Sequence, residues 1–215
     1  MTDIFKKIKD WDLTNKDANI TLSLDYTELS SIGDIVDRKL WFNDEVTEDT
    51  LDGIVYSILR FNAQDKGKPV EERKPILLYL NSPGGSVYDG TGVCDAIIAS
   101  KTPIYTICLS NCCSMGLVIY LCGHKRYAMP NSIFLMHEGY GGDYGASSKV
   151  KEKVDFDSGK LSDSVKNIIL SHTKLTKKQY EDKYRQEWYF LADEGKKYGF
   201  VDYIIGEDCD IDEII

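Results

Sequence analysis

The chain has 215 residues, 42% of them hydrophobic and 28% charged, a globular composition long enough for one ordinary domain with a substantial core. A formal net charge of −9 argues against a nucleic-acid backbone as partner, and no apolar stretch reaches the length needed to cross a bilayer. The N-terminal Thr2-Asp3-Ile4-Phe5-Lys6-Lys7-Ile8 lacks the apolar run of a signal peptide. Five of the six cysteines lie in apolar segments without a zinc or disulfide spacing, so free thiols, no metal or cofactor and a cytoplasmic location are expected.

Residues 1–36 are polar and irregular apart from Ile20-Thr21-Leu22-Ser23-Leu24, whose alternation predicts an edge strand. Lys39-Leu40-Trp41-Phe42 predicts a strand, and the spacing of Leu51, Ile54, Val55, Ile58 and Leu59 predicts a helix from Thr47, its N-cap, to Phe61. A charged loop from Gln64 to Lys74 follows. Ile76-Leu77-Leu78-Tyr79-Leu80 is continuously apolar, as a strand covered on both faces would be, and runs through Asn81-Ser82-Pro83-Gly84-Gly85-Ser86 into a helix from Val87 to Ser100. The unit then recurs: a strand from Pro103 to Leu109, a turn at Ser114 and a buried helix from Met115 to Cys122. A third buried strand, Ile133-Phe134-Leu135-Met136, ends at His137 and opens into Gly139-Tyr140-Gly141-Gly142-Asp143-Tyr144-Gly145. Ser147 to His172 predicts a long polar helix interrupted at Gly159, and Thr176 with Gln179 a capping box. Trp188-Tyr189-Phe190-Leu191, a short helix ending at Gly199 and Phe200 to Ile205 complete the core, and the acidic Glu207 to Glu213 reads as a mobile tail. The rhythm is that of a layered α/β fold, in which sites form where loops leave strand ends.

Three buried strands thus end at Gly85, Ser114 and His137. A serine at the first turn of a buried helix lies beside the helix's free N–H groups and positive dipole end, where a nucleophile developing charge would be placed. Taken alone, such a serine is more often an ordinary N-cap. A serine nucleophile needs a base, and the choice among three histidines is short. His124 sits in a polar turn, His172 ends an amphipathic helix, and His137 ends an apolar strand. Gly84 and Gly85 suit a backbone that must approach a substrate closely, although a tight turn into a helix accounts for them equally well. The glycines lack the Gly-Lys-Ser/Thr ending of a phosphate loop.

Asn81-Ser82-Pro83-Gly84-Gly85-Ser86-Val87, Cys113-Ser114-Met115-Gly116, Arg126-Tyr127-Ala128-Met129-Pro130-Asn131-Ser132 followed by His137, and Tyr198-Gly199-Phe200-Val201-Asp202 resemble, in order, the motifs of the ClpP family, the proteolytic subunits of the Clp protease. The resemblance runs from about Arg38 to Ile205. It implies an α/β fold of the ClpP/crotonase type with a protruding handle helix, in a domain spanning residues 37–206 between a divergent segment, 1–36, and an acidic tail, 207–215. It further implies a serine endopeptidase acting on unfolded polypeptide inside a chamber of heptameric rings, single or stacked, with a Clp-type ATPase as partner. Ser114 would be the nucleophile and His137 the base, and the N–H groups of Gly85 and Met115 the oxyanion hole. Gly139, Tyr140, Gly141 and Gly142 would hold a peptide by strand addition.

The chain departs from the family in three places. The third triad position, an aspartate in the family, falls on Glu187, with Asp182 as the alternative acid. Arg185-Gln186 stands where the family carries an Asp-Arg pair that links rings, and residues 1–36, which in the family meet the ATPase, match poorly. Three other readings remain open at this level: a catalytically silent ring subunit, a crotonase-type enzyme binding acyl-CoA, and a Ser–Lys enzyme drawing its base from Lys149, Lys151 or Lys153.

Overall fold

The computed structural model describes residues 33–215, so the strand expected at Ile20–Leu24 lies outside the described residues. The chain divides into Met1–Lys39, of which residues 33–36 form a helical turn, and a second unit, Leu40–Ile215, which holds the sheet and the helices. Among the described residues the sheet has seven strands: β1 (Lys39–Phe42), β2 (Ile76–Ser82), β3 (Ile104–Cys113), β4 (Lys125–Ala128), β5 (Ile133–Met136), β6 (Trp188–Leu191) and β7 (Tyr203–Ile204). Its main path runs β1-β2-β3-β4-β7, and β5 leaves that path to pair with both β3 and β6. The β2–β3, β3–β4, β3–β5 and β4–β7 pairs are parallel, and β5–β6 is antiparallel.

The helices follow the sequence pattern with local differences. α1 begins at Glu48–Thr50 behind Thr47, the expected N-cap, whose backbone N–H donates to the Thr50 hydroxyl at 2.9 Å, passes through a π-helical turn at Leu51–Val55 and continues as Tyr56–Gln64. α2 is Val87–Ala99, capped by the Ser86 hydroxyl, and α3 is Met115–Leu121, every residue of which is buried. α4 runs Ser147–Phe156, Asp157–Leu161 and Ser162–His172. Its middle piece, which contains Gly159, is a π-helical turn, and nothing from Ser147 to Leu161 is buried. α5 is Lys177–Tyr184, with the Thr176–Gln179 capping box formed, and α6 is Ala192–Tyr198. Among the described residues no helix is long and apolar enough to cross a membrane.

Both faces of the parallel strands are covered, which is why β2 reads as an unbroken apolar run. On one face the Thr106 hydroxyl donates to the Tyr120 carbonyl of α3, 2.8 Å away, and Gly123 passes so close that a Cβ there would lie 2.2 Å from Thr106 Oγ1. The other face carries Leu77, Tyr79, Ile107, Tyr127 and Ile205, and Ile214 packs among them. This corrects the expectation of a mobile tail. Ile211–Ile214 forms a 3₁₀ turn, the Tyr79 hydroxyl donates to the Ile214 carbonyl, and the apolar side chain of Ile214 is drawn into the aromatic cluster despite its acidic neighbours. β4 was not evident from its charged first half, but Tyr127 and Ala128 are both buried, and Arg126 finds its own partner in Asp202.

Candidate active site

The site is built where β3 changes neighbours. From Tyr105 to Cys108 the strand pairs with β4, and from Asn111 to Cys113 it pairs with β5. This second pairing carries β3 four residues past the end expected at Leu109. Ser132 fixes the crossover. Fully buried, it donates its hydroxyl to the Cys108 carbonyl at 2.9 Å, and this explains the small polar residue of the Pro130-Asn131-Ser132 turn. The Cys113↔Leu135 register brings the end of β3 beside the end of β5, and the Ser114 N–H extends that ladder by donating to the Leu135 carbonyl at 2.9 Å.

Ser114 occupies a turn at φ 53°, ψ −124°, a conformation rarely adopted by a residue with a side chain. A sharp strand-to-helix turn of this kind lifts a serine hydroxyl away from its own backbone. The hydroxyl makes no cap hydrogen bond to α3, so the N-cap explanation of this serine does not hold. It lies instead 2.9 Å from Nε2 of His137, which stands just past the end of β5.

The antiparallel register of β5 and β6 decides which acid meets the histidine. Ile133 pairs with Leu191 and Met136 with Trp188, so the next pair outward is His137 with Glu187. The side chains meet, with His137 Nδ1 3.1 Å from Glu187 Oε1. Asp182 belongs to α5 and, among the described residues, makes no hydrogen bond to His137. A carboxylate can only accept, so Nδ1 carries the imidazole proton and Nε2 is left to accept from the serine hydroxyl. The Glu187 carboxyl is held below the ordinary carboxylate range, first by a hydrogen bond from the Tyr140 hydroxyl at 2.6 Å and second by His137. The same bond pushes the Tyr140 phenol up.

The Pro83-Gly84-Gly85 turn packs directly on the serine. A Cβ on Gly84, whose φ is +106°, would lie 2.6 Å from Ser114 Cβ and 2.8 Å from the Cys113 carbonyl oxygen. Gly85, at φ +139°, is bracketed by two backbone bonds to Val46: the Val46 N–H donates to the Gly84 carbonyl and the Ser86 N–H to the Val46 carbonyl. In such a parallel bridge the N–H of the middle residue points away from the partner, so the Gly85 N–H faces the side opposite Val46. Met115 is the first residue of α3, so its N–H has no partner within that helix.

The remaining sequence-level residues fall as follows. Gly139, Tyr140, Gly141 and Gly142 form an exposed segment outside regular structure, and Tyr140 is the member tied back to the site. Of the other histidines, His124 accepts the Ile104 N–H at 3.1 Å, and His172 has its Nδ1 2.8 Å from the Ile168 carbonyl at the end of α4. Lys149, Lys151 and Lys153 pair with Glu152, Asp155 and Asp157 along α4, and the hydrogen bond to Asp157 pushes the Lys153 ammonium up. All six cysteines are free. Burial pushes the Cys113 thiol up to about 11, which keeps the neighbour of Ser114 protonated. Among the described residues no cluster of three or more His, Cys, Asp or Glu side chains is placed to hold a metal ion.

Sequence reasoning placed Tyr140 in a substrate-binding loop and did not foresee its bond to Glu187. The link between Asn111 and Asn81, whose side-chain oxygen accepts both the Asn111 backbone N–H (3.2 Å) and its side-chain amide (2.6 Å), was also missed. Two strand-end asparagines flanking the site turns were its available signal.

A mostly parallel sheet with strand-turn-helix units and several helices is a mixed α/β architecture consistent with the ClpP-like fold. The chain matches the family model described as Clp protease over residues 28–208, and it belongs to that family.

Proposed function

We propose that this chain is a serine endopeptidase that cleaves unfolded polypeptide inside an oligomeric chamber. The observation that carries the reading is the Ser114 hydroxyl, turned away from its own helix and set 2.9 Å from His137 Nε2. In this mechanism Ser114 Oγ attacks the scissile carbonyl as its proton passes to His137 Nε2. Glu187 keeps Nδ1 protonated and stabilises the imidazolium that forms. The N–H groups of Gly85 and Met115 stabilise the oxyanion. His137 then returns the proton to the leaving amine as the C–N bond breaks, giving an acyl-serine ester. A water molecule, deprotonated by the same Nε2, attacks this ester, and the acyl–Oγ bond breaks as the proton returns to Oγ, which releases the carboxylic acid product and restores the serine.

Glu187 is the third triad member in this reading because the β5–β6 register sets it opposite His137. The exposed Gly139–Gly142 segment, with no regular structure of its own, suits an extended peptide laid alongside as an added strand. Heptameric rings, a Clp-type ATPase partner and a cytoplasmic location complete the proposal. The first two come from family membership, and the last fits a chain whose six cysteines are all free.

The test is intact-mass spectrometry after fluorophosphonate treatment of the wild type and Ser114→Ala. One adduct, lost in the variant, is the expected result. A folded wild type that takes no adduct would instead favour a silent subunit or an acyl-CoA-binding enzyme.

A further inference from the structure

Glu187 faces a difficulty that an aspartate would not. Its carboxylate sits one methylene further from the backbone, with an additional torsion to fix, and the side chain is 48% exposed. Water competes for both oxygens of so exposed an acid, and an ion pair held by geometry alone contributes little there. Something other than burial must hold the group against His137.

Among the described residues two side chains hydrogen-bond the Glu187 carboxylate, and both reach Oε1: His137 Nδ1 at 3.1 Å and the Tyr140 hydroxyl at 2.6 Å. The tyrosine bond is the shorter, and it is charge-assisted. The Tyr140 ring also stands edge-on to the imidazole, with centroids 5.2 Å apart and planes inclined at 69°. Tyrosine, glutamate and histidine therefore touch pairwise and close a triangle around Oε1. The lowered carboxyl and the raised phenol are the paired signature of a bond that requires the ionised acid and the protonated phenol.

Packing does not account for Tyr140. Its side chain is 85% exposed, on a segment where Gly139, Gly141 and Gly142 have open space around them. A large aromatic so placed gains little from burial. Its observed partners are the acid and the base of the site, and the glycines on either side leave the backbone free to bring the phenol to them.

We propose that Tyr140 is a positioning residue, whose hydroxyl fixes Glu187 Oε1 and through it the orientation of His137. This rests on the serine-peptidase reading. It also joins two parts of the site, because Tyr140 belongs to the segment expected to hold the peptide. A substrate strand that orders Gly139–Gly142 orders the phenol with it, and so sets the acid when substrate is present. A residue acting only through Glu187 has no work left once Glu187 is gone, whereas a residue that contacts substrate still does.

The experiment is a double-mutant cycle on wild type, Tyr140→Phe, Glu187→Ala and the double variant. It reads the rate of fluorophosphonate labelling together with kcat and KM for a short peptide. Phenylalanine keeps the ring and removes only the hydroxyl. Tyr140→Phe is expected to slow labelling and kcat by about three- to tenfold while KM changes by less than about twofold, and the double variant is expected to be no slower than Glu187→Ala. A Tyr140→Phe protein as fast as wild type overturns the proposal. So does an equal loss from Tyr140→Phe in both backgrounds, or a change confined to KM, which would make Tyr140 a substrate contact. A wild type that takes no label removes the peptidase reading and this inference with it, whereas a labelled wild type with an unaffected Tyr140→Phe removes this inference alone.

Discussion

At the scale of the residue, Ser114 shows how the fold stores strain at the proposed nucleophile. Its backbone is held at φ 53° by the Leu135 carbonyl, which accepts its N–H at 2.9 Å, and by its own carbonyl, which accepts from Leu117 and Val118. A side chain in so sparsely populated a region costs about 1–3 kcal/mol, maintained because the surrounding structure over-determines it. Losing the hydroxyl and relieving the backbone should therefore be separable. Ser114→Ala and Ser114→Gly are both expected to lose labelling, but only glycine can adopt this turn without a Cβ penalty. The glycine variant should be the more stable of the two in urea by about 1 kcal/mol, even after glycine's larger unfolded-state entropy is subtracted. A glycine variant equal to or weaker than the alanine variant would show that the turn carries no such strain.

At the scale of the element, Arg126 ties three pieces of structure together. From β4 its guanidinium makes two bonds to Asp202, just before β7, at 2.9 and 2.6 Å, and a third to the His172 carbonyl at the end of α4. The fork geometry suits the carboxylate, and the third donor satisfies a helix-end carbonyl that has no partner within its own helix. Arg126→Met should lower stability by about 2 kcal/mol in denaturant unfolding, and Arg126→Lys should recover little of it, because an ammonium cannot span the same three acceptors. Stability unchanged in Arg126→Met would mean that the contacts among β4, β7 and α4 hold without it. This connection also marks a limit of sequence reading. Continuous apolar runs made β2 and β5 plain, and Thr47 and Thr176 announced their helices. β4 was hidden because its Arg126 finds its carboxylate in Asp202, 76 residues away in the chain, and its Lys125 lies over the Tyr105 and Tyr203 rings. The site divides in the same way. Ser114 and His137 could be picked out because each ends an apolar strand and histidines are few. The choice between Glu187 and Asp182 depended on the β5–β6 register, a tertiary fact that alternation along one strand does not contain.

At the scale of the whole molecule, the question is what α4 does. Its first half buries no residue, yet it presents Val154 and Phe156, each more than 40% exposed, among lysines and acids already paired along the helix. The first half meets α2 only through the polar contacts of Tyr88 with Lys153 and Asp157 among the described residues, and exposed apolar side chains on such a helix suit a face shared between copies. In a stacked chamber this helix would be the contact between rings, and it would carry more of that role here because Arg185-Gln186 replaces the ring-linking pair of the family. Native mass spectrometry should then find the 24.4 kDa chain in assemblies of seven or of twice seven copies. Phe156→Asp would put a charge on the face proposed to join the rings, so it should shift the larger assembly to the smaller while the far-ultraviolet circular dichroism is unchanged. Labelling offers a second readout. Glu187 lies two residues beyond Arg185, so a site that depends on ring contact should label more slowly in Phe156→Asp. One complete within each ring should label at the wild-type rate, and a monomer in both proteins would remove the chamber from the proposed function while leaving the serine chemistry intact.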